Sequence, residues 1–199
     1  MVSLPAPQAL KSAELVAFHD ARSSAPADAL WQAIAANHLH NRLLWDEEDL
    51  ARRRNVADAE IAANKRAIDG HNQRRNDAIE RIDELLLEAL SGVARKADAR
   101  LSSETCGAMI DRLSILALKI RAMRAQTERA DVDRGHIEAC EAKLAKLSEQ
   151  RSDLAACLDR LLGECARGES YFKIYRQFKM YNDPKLNPAL YHEASRRKG

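Results

Sequence analysis

No proline occurs between Pro26 and Pro184, and only seven glycines serve the 199 residues. Nothing in that interval has to break a helix. Valine and threonine are scarce while alanine, leucine, glutamate and arginine abound, which excludes a strand-rich fold. The expected fold is all-α: an elongated antiparallel bundle of about five helices with a C-terminal aromatic strap. No run approaches the ~20 apolar residues of a membrane span. Residues 1–18 lack the basic start and clean apolar run of a secretory signal. The four cysteines, Cys106, Cys140, Cys157 and Cys165, form no Cys-x-x-Cys pair and have no histidine at zinc-finger spacing. Cys140 and Cys165 fall on an apolar stripe, where a thiol acts as a small hydrophobe, and this suits a reducing cytoplasm. The expected location is cytoplasmic.

Catalytic signatures are missing too. There is no glycine-rich phosphate loop, zincin motif or nucleophile elbow. Ferritin-like metal sites need Glu-x-x-His on paired helices, and the nearest relative, Asp133-x-x-His136, stands alone at a helix start. No metal or cofactor is therefore expected. Net charge is +2, too small to argue for nucleic acid by bulk electrostatics. From Ala166 onward eight Lys/Arg face three acids, and 171–193 holds six of the nine aromatic residues. The chain reads as a single helical-bundle domain over 1–199, with a loosely packed N-terminal segment (1–25) and a basic aromatic tail (167–199).

What is present is helical spacing. A short helix over 8–21 has Leu10, Leu15 and Phe18 as anchors. Pro26 suits the first turn of the next helix, with Ser24 as its cap. That helix (27–53) carries a stripe at Leu30, Ile34, Asn37, Asn41, Leu44, Glu48 and Ala51. A third (59–90) carries Ile61, Lys65, Ile68, Asn72, Arg75, Ile79, Ile82 and Leu86, and ends near Gly92. The fourth, preceded by Ser102 and Ser103, runs to about Glu128. It is apolar on two sides, with Met109, Leu113, Leu116, Ile120 and Met123 on one and Ile115 and Leu118 on the other, which predicts a central position. The fifth (134–166) alternates steps of three and four from Ile137 to Cys165, broken only by Arg151. Such heptads suit long antiparallel packing, within the chain or in a homodimer.

The stretch 37–76 is helical in pattern, yet its core-facing positions include Asn, Glu, Lys and Arg. If 55–58 is a tight connection, the two helices run antiparallel. Pairing Glu48 with Lys65 then also aligns Asn41 with Asn72, Asn37 with Asn76 and Ile34 with Ile79. Buried amides and charges are costly unless paired, so the seam should be a connected network. It can act as a register device, or it can line a pocket. In the pocket reading Arg52, Lys65 and Arg75 hold a phosphate or carboxylate, with Asn41 and Asn72 hydrogen-bonding and Trp45 as an apolar wall. His38, His40 and His71 flank it as proton donors. Glu47-Glu48 with Glu80-x-x-Asp83 also resembles the carboxylates of the all-helical, magnesium-dependent nucleotide pyrophosphohydrolases. In the hairpin register, however, Glu80 lies ~22 Å from Glu48 along the helices, too far to share an ion.

Four longer motifs resemble one bacterial family, filed among domains of unknown function with the series number four-two-five-four. They are Asn41-x-x-Leu44-Trp45-x-x-Glu48-Asp49; Lys65-Arg66-x-Ile68-Asp69-x-x-Asn72-Gln73-x-Arg75-Asn76-Asp77; Ser103-Glu104-Thr105 with 111–120; and 176–184. The resemblance spans about 41–191, with Cys106 standing where the family has proline. It implies no established activity and hence no catalytic residues. Members of such families are often encoded near glycosyltransferases for envelope polysaccharide, which implies sugar or nucleotide-sugar chemistry. The motifs also add Asp111 and Arg112 to the seam, more charge than a register device needs. The expected ligand-binding set is therefore Asn41, Trp45, Glu48, Arg52, Lys65, Asp69, Asn72, Arg75, Asn76, Asp111 and Arg112, facing an anionic small molecule. The alternatives are a scaffold acting through coiled-coil-like helices and the basic tail, or the pyrophosphohydrolase-like enzyme.

Overall fold

Where the three-and-four spacing runs, helices form. The computed structural model describes residues 10–21, 25–176, 184–190 and 192. Its long elements are α1 (Ser12–Asp20), α2 (Ala29–Leu50), α3 (Asp58–Ala89), α4 (Cys106–Thr127) and α5 (Arg134–Ala166). The fold is all-α, as the composition requires. Three starts are fixed by side-chain caps, each accepting the backbone N–H three residues on: Asp28 from Trp31 at 3.0 Å, Thr105 from Ala108 at 3.1 Å and Asp133 from His136 at 2.8 Å. The cap of α2 is thus Asp28, and Pro26 precedes the helix instead of opening it; its carbonyl accepts the Gln32 side chain at 2.8 Å. Ser24 lies outside the described residues. Residues 51–57 form a turn, so α2 and α3 are separate helices.

Two helical pairs result, α2 against α3 and α4 against α5, and α4 also touches α1, α2 and α3. This is the central position its two apolar sides predict. One apolar cluster joins all five helices, with Leu15, Ile34, Ile82, Ile110, Leu113 and Leu158 at or near complete burial. Each such side chain contributes roughly 1.5–3 kcal/mol. Arg151, the break in the α5 stripe, pairs with Asp20 of α1 at 2.7 Å. Ser12 donates both its N–H and its hydroxyl to Asp159, at 2.9 and 2.7 Å. Polar contacts thus fasten both ends of α1 to α5. Among the described residues no helix is long and apolar enough to cross a membrane.

After α5 the chain turns at Gly168, whose φ of 71° brings it against Ala94; a Cβ there would lie 2.2 Å from the Ala94 oxygen. A two-residue parallel bridge follows, Arg100–Leu101 with Ser170–Tyr171. Phe172 enters the core and the Arg95 guanidinium lies 3.6 Å above the Tyr171 ring, while Tyr175 is exposed. The other aromatics of the expected strap, Phe178, Tyr181 and Tyr191, fall outside the described residues. Cys106 is the first residue of α4, a position whose backbone N–H has no partner within the helix. Proline would also suit that place.

Candidate functional site

The polar seam of α2 divides between two neighbours. Asn37 and Asn41 turn toward α4. Asn37 Nδ2 donates to Asp111 Oδ1 at 2.8 Å; Asn41 Nδ2 donates to the same oxygen at 2.9 Å and to Ser114 Oγ at 3.0 Å. His38 Nδ1 lies 2.8 Å from Ser114 Oγ. All five residues are buried. Burial, reinforced by Arg42 and Arg121, holds the His38 imidazole neutral, with its pKa lowered to about 4. It is therefore no proton donor near neutrality.

Between α2 and α3 the register differs from expectation by one residue on each helix. Asn64 Nδ2 donates to Glu47 Oε2 at 2.7 Å, and the Nδ1 atoms of His40 and His71 lie 3.3 Å apart. Seven residues separate the paired positions on both helices, so the seam is heptad-like. Glu48 and Lys65 sit one residue further on, rotated by about 100°. Each therefore bonds within its own helix, Glu48 to Arg52 and Lys65 to Asp69. The expected Glu48–Lys65 seam pair is corrected to Glu47–Asn64.

An open pocket of about 320 Å³ lies between α2, α3 and α4. Asn41 forms part of its wall, with Leu44, Trp45, Ile115 and Leu118 as apolar surface. Glu48, Asp49, Arg52, Asn72 and Arg75 supply the polar groups. Six of the expected residues thus converge. Arg52 is already engaged, by the Glu48 carboxylate at 2.8 Å. Arg75 is held more loosely: its Nε is buried without a hydrogen bond among the described residues, and its ion pair with Asp111 Oδ1 spans 4.0 Å. A guanidinium held near a carboxylate, but too far to bond it, has donors to offer.

The remaining expected residues lie elsewhere. Lys65 and Asp69 form an exposed pair on α3. Asp111 supports the pocket from behind through Asn41. Arg112 pairs with Glu104 at 2.6 Å and lines a different cleft, against α5. Asn76 lines a third cleft with Glu80, Asp83 and Glu104. Glu80 and Asp83 therefore share no pocket with Glu48, and among the described residues no group of three His, Cys, Asp or Glu is placed to hold a metal ion. Reading the seam as a pairing of two helices missed Ser114. The signal was available, since Ser114 lies in the motif that contributes Asp111.

The family model for "Protein of unknown function (DUF4254)" matches residues 31–174, most of the chain, and the protein belongs to that family. The match begins ahead of Asn41 and stops short of the motif over 176–184. It contains every residue of the pocket. No curated protein and no solved structure matches the chain.

Proposed function

We propose that this member of the DUF4254 family binds a phosphorylated sugar or sugar nucleotide in the pocket between α2, α3 and α4. One observation carries the reading: Arg75 lines the pocket, its side chain is partly exposed there, and among the described residues it makes no hydrogen bond, only a 4.0 Å ion pair to Asp111. A phosphate oxygen would accept from the terminal nitrogens of that planar guanidinium. The pocket's other charges refine the ligand. Glu48 and Asp49 balance Arg52 and Arg75, so a bare anion gains little from net charge. A ligand that offers hydroxyls to Asp49 and Asn72, an anion to Arg75 and a flat face to Trp45 fits the groups left beside the Glu48–Arg52 pair. Sugar phosphates meet that description.

Thermal-shift titration with glucose 1-phosphate, UDP-glucose and inorganic phosphate tests the reading. Ligand at a hundred times its Kd should stabilise the protein by about 2.7 kcal/mol. Arg75→Ala should abolish the shift, while Lys65→Ala should retain it, because Lys65 is outside the pocket. Absence of stabilisation by any sugar phosphate at millimolar concentration sinks the proposal. So does a shift that survives Arg75→Ala.

A further inference from the structure

Beside the pocket, on the far side of Trp45, a second concavity runs between the C-terminal half of α4 and the N-terminal half of α5. Its volume is about 490 Å³, within the range of roughly 300–1,000 Å³ typical of small-molecule sites. Trp45, Met123 and Leu147 make the floor, and Lys119, Lys143 and Lys146 stand on the rim; no aspartate or glutamate lines it. Lys146 is paired with Glu149 at 2.6 Å. Lys119 and Lys143 have no ion-pair partner among the described residues.

The α5 stripe shows why the groove is open. Leu154, Leu158 and Leu161 are fully buried, whereas Leu144 and Leu147 on the same face are only half-buried. The stripe is buried again at Cys140, so its cover lapses only over this middle stretch. An apolar floor inside a cationic rim is complementary to a molecule with an apolar body and an anionic head. A second copy of the chain is a poor fit, because a twofold contact here would set lysines against lysines. A bilayer is a poor fit as well, since a concave groove would leave its floor uncovered.

We infer that this groove binds a single-chain anionic amphiphile, with its chain on Trp45, Met123 and Leu147 and its head group held by Lys119 and Lys143. The site is separate from the Arg75 pocket and stands whether or not that pocket takes sugar phosphates. Calorimetric titration of the full chain with decyl phosphate below its micellar concentration tests it, with decyltrimethylammonium and inorganic phosphate as comparisons. Decyl phosphate should bind saturably, at least about tenfold more tightly than either. The exposed double substitution Lys119→Glu with Lys143→Glu should weaken it about tenfold or more, with an unchanged circular dichroism spectrum and melting temperature. Arg75→Ala should leave it unchanged. Equal binding of the two decyl compounds overturns the assignment, as does absence of saturable binding or indifference to the double substitution. An equal loss in Arg75→Ala would transfer the site to the other pocket. Sedimentation with anionic phospholipid vesicles without monomer binding would make the face a membrane contact, and a dimer dispersed by the double substitution would make it a self-interface; either overturns the proposal.

Discussion

Asn41 of α2 and Asp111 of α4 are joined by a 2.9 Å hydrogen bond with almost no solvent access, and Asn37 donates to the same carboxylate oxygen at 2.8 Å. One acceptor thus serves two buried amides from successive turns of α2. It ties α2 to the central helix directly behind the pocket wall. Removing that acceptor leaves Asn37 without its bond to α4 and Asn41 with Ser114 alone on that helix. Asp111→Ala should cost about 2–4 kcal/mol, read as a lower urea midpoint at constant slope. A cost under about 1 kcal/mol would show that the amides find other acceptors.

Arg75 should behave in the opposite way. Among the described residues its Nε is buried without a hydrogen bond, and its ion pair with Asp111 spans 4.0 Å, so it adds little to stability. Arg75→Met preserves the packing of the side-chain stem and removes the orphaned donor. Its unfolding free energy should stay within about 1 kcal/mol of wild type, or exceed it. A loss above about 2 kcal/mol would make the Arg75–Asp111 pair structural and leave the pocket without a cation to spare for an anion.

The contrast between these residues shows what could be read from the sequence. Asn37 and Asn41 stood out because amides occupied core positions of a heptad, and the structure buries both. Their acceptor did not stand out, because Asp111 lies 74 and 70 residues further on and a stripe does not name its neighbour. The hairpin invited pairing with the adjacent helix, and the one-residue error in register followed. Lys65 failed for a different reason. No residue from 45 to 67 is buried, so the polar positions at the tip of the hairpin are polar because they are solvated. A charge on a stripe has the same appearance in either setting. The break at Arg151 was visible, but its cause, Asp20, lies 131 residues away.

His19 makes stability depend on acid. It is buried against His38, ring centroids 4.9 Å apart, and among the described residues neither of its ring nitrogens has a hydrogen-bond partner. Burial first, then His38 and Arg151, lowers its pKa from 6.5 to about 3. The unfolded chain takes up a proton near 6.5 that the folded chain refuses. Stability is therefore intact above that pH and falls as pH drops toward 4. His19→Phe keeps the ring contacts and removes both orphaned nitrogens. It should gain about 1 kcal/mol or more at pH 7 and lose less between pH 6.5 and 4. An unchanged acid slope in urea titrations would remove His19 from this account.

Gly107 sets how closely α3 and α4 approach. A Cβ on it would lie 2.6 Å from the Ile79 backbone oxygen and 2.9 Å from Asp83 Cγ. Backbone cannot yield as a flexible side chain can, so Gly107→Ala must push the start of α4 away from α3. The expected cost is about 1–3 kcal/mol, measured by thermal unfolding, against the gain that alanine usually brings within a helix. A variant as stable as wild type would mean that the two helices separate without loss.

Asp83 faces that glycine and accepts its N–H at 2.7 Å, while only 3% exposed. Burial raises its carboxyl from 3.8 to about 6, outweighing the hydrogen bonds from Thr105 and Gly107 that favour the charged form. Between those two values the folded protein holds a proton that the unfolded chain has released. This group's contribution therefore declines as pH rises from about 4 to about 6, and is constant beyond. Asp83→Asn still offers an oxygen to the Gly107 N–H and cannot ionise. Relative to that variant, wild type should lose on the order of 2–3 kcal/mol between pH 4 and pH 7. The comparison cancels the histidine effect, which acts on both proteins alike. A difference that stays flat across this range, or grows in favour of wild type, would mean that the carboxylate is ionised at little cost in its cleft.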